Sequence, residues 1–299
     1  MTIGLIGLGK MGSQIVARLT KAGHAVVVTD HHQENIDAAV ANGATAAVDS
    51  KDLVSKLASP AVVWLMIASH VVDAELDTLL PLLAKGSIIV DGGNSDFRET
   101  RERYKRCAEK GVQLVDVGTS GGIMGLKNGF SMMIGGDEQA FTAVEPAIQA
   151  LAQENGYDYF GLTGAGNYVK MIHNAIEYGI MESYAEGYRL LKDGTDYPGL
   201  DLASIAKVWQ HGSIIASSLN DITAGILAKN PNLDGIDGYV AETGEARWTL
   251  EVAAGQSIPM PAVQAAFDTR LATAQGKVNF ATKLLAAMRG GFGGHKVNK

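Results

Sequence analysis

Lys170, His173, Asn174 and Glu177 lie within Gly164-Ala165-Gly166-Asn167-Tyr168-Val169-Lys170-Met171-Ile172-His173-Asn174-Ala175-Ile176-Glu177-Tyr178, a stretch that reads as the opening of one long helix. At ~3.6 residues per turn these four share one face, while Val169, Ile172, Ile176 and Ile180 lie on or towards the other. The apolar side suits a core and the polar side a cleft. Lys170 and Glu177 leave one stripe about 10 Å apart along the axis, so their side chains can converge on a short polyol chain as base and acid. A solvated helix face can carry the same charges with no such role. The glycine-rich lead-in, the amide and imidazole between the charges, and a patterned turn at the start of the chain favour chemistry.

The elements that must position these residues begin at Ile3-Gly4-Leu5-Ile6, a short apolar strand. It leads into Gly7-Leu8-Gly9-Lys10-Met11-Gly12 and then a helical pattern to Ala22. In a strand, G-x-G-x-x-G, helix arrangement the glycines allow a tight turn, and a dinucleotide pyrophosphate sits on the N–H groups at the helix start. Ala25 to Thr29 reads as the second strand, and Asp30 ends it. A carboxylate there accepts from ribose hydroxyls and repels a 2′-phosphate, which places NAD ahead of NADP. His31 and His32 either soften that repulsion or are exposed loop residues, so NADP stays open.

Buried-type strands recur at Ala61 to Ile67 and Ser87 to Val90. The second ends in Asp91-Gly92-Gly93-Asn94-Ser95, a loop beyond a strand's carboxyl end, where doubly wound sheets bind ligands. Asn94 suits hydroxyl recognition or a plain turn, with Ser95 as the cap of the next helix. That helix, rich in Arg98, Glu99, Arg101, Glu102, Arg103, Lys105 and Arg106, reads as a solvated face, with Cys107 structural. Strands at Val112 to Val117 and Phe130 to Ile134 flank Gly118-Thr119-Ser120-Gly121-Gly122, whose backbone N–H groups can hold a carboxylate or hydroxyl. Asp137 caps a helix to about Ala152, and Tyr157 to Phe160 closes the sheet. From Asn167 onward the pattern is helical. The first helix runs to Lys192, and others cover roughly 213–229, 239–254, 260–274 and 277–289. Arg247, Arg270 and Arg289 stand in small or apolar surroundings. Each alone reads as a surface ion-pair partner; together with His295 they can form an anion pocket. The Gly-rich run before His295 needs something to order it.

The 299 residues are 46% hydrophobic and 19% charged, enough for two domains. The expected architecture is an α/β N-terminal Rossmann-type doubly wound domain, residues 1–163, followed by an all-α C-terminal domain, residues 164–299, for substrate binding and dimerisation. A net charge of −7 disfavours nucleic acid or an anionic membrane as the main partner. One cysteine, no zinc-type spacing, no signal segment and no apolar run of ~18 residues fit a cytoplasmic protein without a metal.

These residues resemble the short-chain, NAD-preferring form of 6-phosphogluconate dehydrogenase (decarboxylating), within the β-hydroxyacid dehydrogenase superfamily. The resemblance runs from Gly7 to His295 and is most specific at Asp91 to Ser95, Ser120 to Gly122, and Lys170 to Tyr178. It implies cofactor contacts from Gly7, Leu8, Gly9, Lys10, Met11, Gly12, Asp30 and Asn94. Substrate contacts would come from Asn94, Ser120, Gly121, Gly122, His173, Asn174 and Tyr178. Arg270, Arg289 and His295 would hold a phosphate. Arg247 stands before Trp248-Thr249, where long-chain members usually have Lys. Those members are also longer in the helical domain, and their tail reaches a neighbouring subunit, which implies a homodimer or homotetramer here.

The implied reaction oxidises 6-phospho-D-gluconate and releases carbon dioxide to give D-ribulose 5-phosphate, in oxidative pentose phosphate metabolism. Lys170 would act as base, Asn174 as stabiliser of an enolate and Glu177 as acid. Two alternatives stand beside it: a related dehydrogenase acting on an unphosphorylated 3-hydroxy acid, and a non-catalytic dinucleotide sensor.

Overall fold

The computed structural model of the chain describes residues 1–294. They divide into two compact units, with the boundary between Met171 and Ile172. In chain order the first contains β1 (Thr2–Ile6), α1 (Lys10–Lys21), β2 (Ala25–Thr29), α2 (Gln33–Ala41), β3 (Thr45–Ala46), α3 (Ser50–Ser55), β4 (Val62–Leu65) and α4 (Ser69–Leu79). There follow β5 (Ile88–Asp91), α5 (Phe97–Glu109), β6 (Gln113–Ser120), a 3-10 turn (Gly122–Met124), α6 (Gly125–Asn128), β7 (Phe130–Gly136), α7 (Glu138–Leu151) and β8 (Ala152–Tyr159). The long helix α8 (Ala165–Asp193) starts in this unit.

The strands form one sheet in the order β3-β2-β1-β4-β5-β6-β7-β8. All neighbours are parallel except β6 and β7, where Val117 faces Ile134 and Ser120 faces Ser131. The link between those two is too short for a crossover, so the chain must turn back on itself. Successive strand residues feed opposite cores, as a two-residue period dictates. Ile3, Leu5, Val26, Val28, Trp64, Val115 and Val117 pack with α1, α2 and α7; Ile6, Val27, Val63, Leu65, Ile89 and Leu114 pack with α3, α4 and α5. Cys107 of α5 lies in the second of these layers, fully buried. The closing strand begins at Ala152, earlier than the Tyr157 expected, and reaches its register with β7 through an irregularity at Phe130/Met132.

The second unit contains the rest of α8 with α9 (Leu202–Gln210), α10 (Ser218–Lys229), α11 (Glu245–Gly255), α12 (Pro261–Thr273) and α13 (Phe280–Gly293). Caps set several of these starts. Asp201 accepts from Ala203 and Ser204 N–H, Ser217 from Asn220 N–H, and Asn279 forms a reciprocal capping box with Thr282. Met181, Ala185 and Tyr188 of α8 pack with Leu202, Leu227, Leu284, Leu285 and Met288, while Ala175 and Tyr178 pack with Ala246, Val263 and Ala266. The buried stripe of α8 therefore runs through Met171, Ala175, Tyr178 and Met181. Ile176 and Ile180, expected to point inward, are 52% and 44% exposed. Ala246, Val263 and Ala266 of the neighbouring helices pack on Ala175 and Tyr178 of that stripe, and the branched isoleucines are left outside.

Candidate active site

The glycine turn has the shape that its spacing predicts. Gly7 has φ +97°, and a Cβ there would stand 2.5 Å from the Met66 carbonyl oxygen. A Cβ at Gly12 would lie 2.0 Å from the Gly7 oxygen, so the turn closes only on hydrogen. At Gly9, the N-cap of α1, nothing lies within 4 Å of a Cβ position and no side chain caps the helix. That helix start is shaped for a pyrophosphate. Asp30 Oδ2 accepts from Leu8 N–H at 2.6 Å, and Oδ1 accepts from His32 N–H at 2.8 Å and Asn35 Nδ2 at 3.1 Å. Burial pushes the Asp30 carboxyl up, but these bonds outweigh it and hold the group below its usual value. His32 Nδ1 is 3.2 Å from Asp30 while its side chain stays largely exposed. A cleft of about 400 Å³ beside Asp30 is lined by His31, Gln33, Ile36, Ala46, Ala47 and Val48. These residues fit an NAD adenosine: a carboxylate for the ribose and apolar walls for the base.

The loop after β5 is built from behind. Asp91 is buried; its Oδ2 accepts from Ser95 Oγ at 2.8 Å and its Oδ1 from Gly93 N–H at 3.2 Å. Asp96, not Ser95, caps α5 by accepting from Arg98 N–H. Arg103 corrects the expectation of a solvated face: it is 2% exposed. It donates to Ser95 Oγ, the Ser69 carbonyl, Asp73 and Glu99, and lies 3.8 Å from Asp91. Burial pushes the Asp91 carboxyl up despite the Ser95 hydroxyl and the Arg103 charge. The result is an ordered loop that presents an exposed Asn94.

Asp116 sits fully buried on β6, its Oδ1 accepting from Gly164 N–H at 2.8 Å and its Oδ2 from Asn167 N–H at 2.9 Å. A sheet carboxylate thus supplies the cap that α8 lacks in its own sequence. Burial pushes this carboxyl up to about 6 even with both N–H donors in place. Two residues on, Gly118 faces Lys170, which is 6% exposed, so the amine's stem lies flat on β6. Ser120, Gly121 and Gly122 follow at the strand end, the two glycines at φ +139° and +52°.

Within the second unit the polar face of α8 is joined to the start of α11. Asn174 Nδ2 donates to Glu245 Oε1 at 2.9 Å, and Asn174 Oδ1 is 3.0 Å from His173 Nδ1. Glu245 Oε2 accepts from Thr243 Oγ1 at 2.7 Å, whose hydroxyl is 3.3 Å from the Tyr178 hydroxyl. The Arg270 guanidinium lies 3.4 Å from the centre of the Tyr178 ring. Arg270 is 2% exposed and Arg289 8%, so neither is a surface residue. The Arg270 Nε and Nη1 find no acceptor among the described residues. Burial lowers the Arg270 pKa to about 10; Tyr178 opposes that shift, Arg289 adds to it, and Glu182 and Glu177 oppose it. Burying cations this way without enough acceptors is costly, and a bound anion offsets the cost.

Two matches cover nearly all of this architecture. Residues 2–164 match the NAD binding domain of 6-phosphogluconate dehydrogenase, and residues 166–290 match the 6-phosphogluconate dehydrogenase C-terminal domain. The chain belongs to the 6-phosphogluconate dehydrogenase family. It is 38% identical over 300 residues to the NAD(+)-dependent, decarboxylating 6-phosphogluconate dehydrogenase of Haloferax volcanii, spanning 99% of this chain and 98% of that one. The NAD(+)-dependent, decarboxylating enzyme of Bacillus subtilis is 35% identical over 86% of this chain and 58% of its own length. Among solved structures, Plasmodium falciparum 6-phosphogluconate dehydrogenase, studied apo, with its cofactor NADP+ and with its substrate 6-phosphogluconate, superposes with a TM-score of 0.82. It is 30% identical over 96% of this chain and 70% of that chain.

Against this family background, the second unit brings together His173, Asn174, Tyr178, Arg270 and Arg289. It does not bring in Arg247, which is 54% exposed at the side chain and paired with Glu242. His295 lies outside the described residues. Sequence reasoning missed Arg103, Asp116 and Glu245. Thr243-Gly244-Glu245 just before Arg247-Trp248-Thr249 was the available signal for Glu245; Asp116, a carboxylate inside an apolar strand run, was the signal for a buried role. Among the described residues no group of three or more His, Cys, Asp or Glu could hold a metal, and no helix is long and apolar enough to cross a membrane.

Proposed function

We propose that this protein oxidises 6-phospho-D-gluconate at C3 with NAD and decarboxylates the product to D-ribulose 5-phosphate. The carrying observation is the pair of buried guanidiniums, Arg270 and Arg289, with two Arg270 donors lacking acceptors among the described residues. An unphosphorylated 3-hydroxy acid carries one anionic group, its carboxylate, whereas 6-phospho-D-gluconate adds a phosphate that suits a pair of guanidiniums. Gly7 to Gly12 and Asp30 would hold NAD, which when bound supplies hydride acceptance. The Asp30 carboxylate favours NAD over NADP by repelling a 2′-phosphate.

In this reading neutral Lys170 removes the C3 hydroxyl proton as oxidation proceeds, giving a β-keto acid. Carbon dioxide leaves because the new carbonyl takes up the electron pair. Lys170, now protonated, and the Asn174 amide stabilise the enolate oxygen. Glu177 returns a proton to the substrate's former C2, which becomes C1 of D-ribulose 5-phosphate. Asn94, Ser120, Gly121, Gly122 and His173 orient the hydroxyls and carboxylate, and Tyr178, Arg270, Arg289 and His295 take the phosphate end. Arg247 has the weakest support for a role, being tied to Glu242.

The reading includes a homodimer or homotetramer in the cytoplasm, with the tail of one chain serving a neighbour's site. The exposed Ile176 and Ile180 on α8 support a covering surface in the assembly. Sedimentation tests the oligomer. The function itself is tested by reduced-cofactor formation from 6-phosphogluconate, with NAD and NADP in parallel and carbon dioxide followed. Turnover with one carbon dioxide per reduced cofactor is expected. Reduction without carbon dioxide would remove Glu177 from the scheme, and no turnover would redirect the search to unphosphorylated 3-hydroxy acids.

A further inference from the structure

The link between β6 and β7 carries Gly121 and Gly122, and almost nothing in its own sequence holds it. Its base is pinned where Ser120 pairs with Ser131. Its body is a single 3-10 turn followed by the four-residue α6, too short to be stable alone. Gly125 sits on the Phe130 ring so closely that a Cβ would lie 1.8 Å from Phe130 Cε1. The outer part of the loop is held by α1, the helix that begins at the glycine turn. Gln14 Oε1 accepts from Leu126 N–H at 2.7 Å, and Gln14 Nε2 donates to the Gly122 carbonyl at 3.2 Å and the Lys10 carbonyl at 2.8 Å. Arg18, one turn further along α1, donates to the Leu126 carbonyl at 3.2 Å.

This bracing is specific in chemistry. One amide supplies an acceptor to a backbone donor and a donor to a backbone acceptor, so a flipped amide would mismatch both. Gln14 also returns to Lys10, in the first turn of the helix whose N-terminus is shaped for the pyrophosphate. Gln14 therefore links that turn directly to the Gly122 carbonyl and the Leu126 amide, with Arg18 adding a second bond from α1 to the loop. We propose that Gln14, assisted by Arg18, is a positioning residue that couples cofactor binding at α1 to the geometry of the Ser120–Gly122 substrate loop. The proposal rests on the reading of the protein as a 6-phosphogluconate dehydrogenase for its kinetic test, but not for its structural one.

The structural test is hydrogen exchange of the full-length protein. Leu126 N–H reports the bond directly, because its acceptor is Gln14. Saturating NADH should slow exchange across residues 121–129 in the native protein. In Gln14→Met, similar in length but without the amide, exchange there should be faster and NADH should no longer slow it, while NADH affinity stays within about twofold. Persistence of the NADH-dependent protection in Gln14→Met overturns the proposal. The kinetic test compares the same proteins: KM for 6-phosphogluconate should rise roughly tenfold, as expected for lost backbone anchoring, with KM for NAD little changed. An equal rise in both constants would mean a damaged α1 and would also overturn it. Failure of the native protein to turn over 6-phosphogluconate would instead sink the functional reading and leave the exchange result to decide the coupling.

Discussion

A Cβ placed on Gly118 would stand 2.3 Å from the Cβ and 2.9 Å from the Cγ of Lys170, so β6 and α8 meet where only a hydrogen atom fits. Gly118 lies in an ordinary strand, so its requirement is steric and comes from α8, through Lys170 and, at 3.0 Å, the Gly166 carbonyl oxygen. Gly118→Ala must therefore displace Lys170 or the backbone beneath it. Displacements near 1 Å cost about 100-fold in turnover when they touch the reacting geometry. The expected outcome is a fall in kcat of that order with NADH affinity unchanged, read by steady-state kinetics and fluorescence titration. Unaltered kcat would remove Lys170 from the base role or show that the helix shifts without consequence.

Arg103 neutralises Asp91 from inside the protein, at 2% and 1% side-chain exposure. Arg103→Leu leaves that carboxylate buried and uncompensated, which costs about 3–5 kcal/mol. A clear drop in melting temperature is expected, and adding Asp91→Asn should recover part of it. No recovery in the double variant would mean that the pair is not coupled.

Asp116 gives a pH signature. Its carboxyl is pushed up to about 6 from 3.8, so the folded chain holds this proton more tightly than the unfolded one. The contribution to stability is fully present below pH ~4 and is lost as pH rises through ~6, a change of about 3 kcal/mol. Subtracting the pH–stability curve of Asp116→Asn from that of the native protein should show this decline between pH 4 and 7. A flat difference curve would place the titration elsewhere.

Arg270→Met separates folding from binding. A buried guanidinium with two donors that meet no acceptor among the described residues is a poor contributor to stability, and an apolar side chain of similar length serves the core as well or better. Without ligand the variant should melt at the same temperature or higher. Inorganic phosphate at millimolar levels should raise the melting temperature of the native protein and leave the variant where it was. An equal phosphate shift in both would move the anion site away from Arg270.

Glu245 is 3% exposed and holds the Asn174 amide. Glu245→Ala should lower kcat roughly tenfold by freeing that amide, whereas Glu245→Gln, which keeps an acceptor, should retain most of the activity. Equal losses in both would point to the charge of Glu245 as the property that matters.

The cofactor half of the fold was legible because its signals are local. The strand, G-x-G-x-x-G, helix pattern lies within a dozen residues, with Gly12 closing directly on the Gly7 carbonyl, and Asp30 follows directly from the end of a β-branched run. The position of α8 was legible for the same reason, but not its buried stripe. Which face of a helix packs inward depends on partners distant in sequence, and here Ala246, Val263 and Ala266 chose Ala175 and Tyr178 over Ile176 and Ile180. Arg103 looked like any other charge in a charged helix. Its burial is decided by Asp73, Asp91 and Ser69, which come from other elements. Arg270 and Arg289 were distinguishable because their neighbours in sequence are small and apolar. Gln14 carried no signal, since an amide on an exposed-looking turn is common and its partners are backbone atoms over 100 residues away.

Cys107, sealed under α5 at 0% exposure, has a thiol that burial pushes up to about 12. A sulfur that neither ionises nor meets solvent is silent to electrophiles while that layer is closed. It becomes reactive only when α5 lifts from the sheet. The chain thus contains a built-in clock: the rate at which a thiol reagent labels Cys107 counts the openings of the layer that also anchors Arg103, one molecule at a time and without any engineered probe.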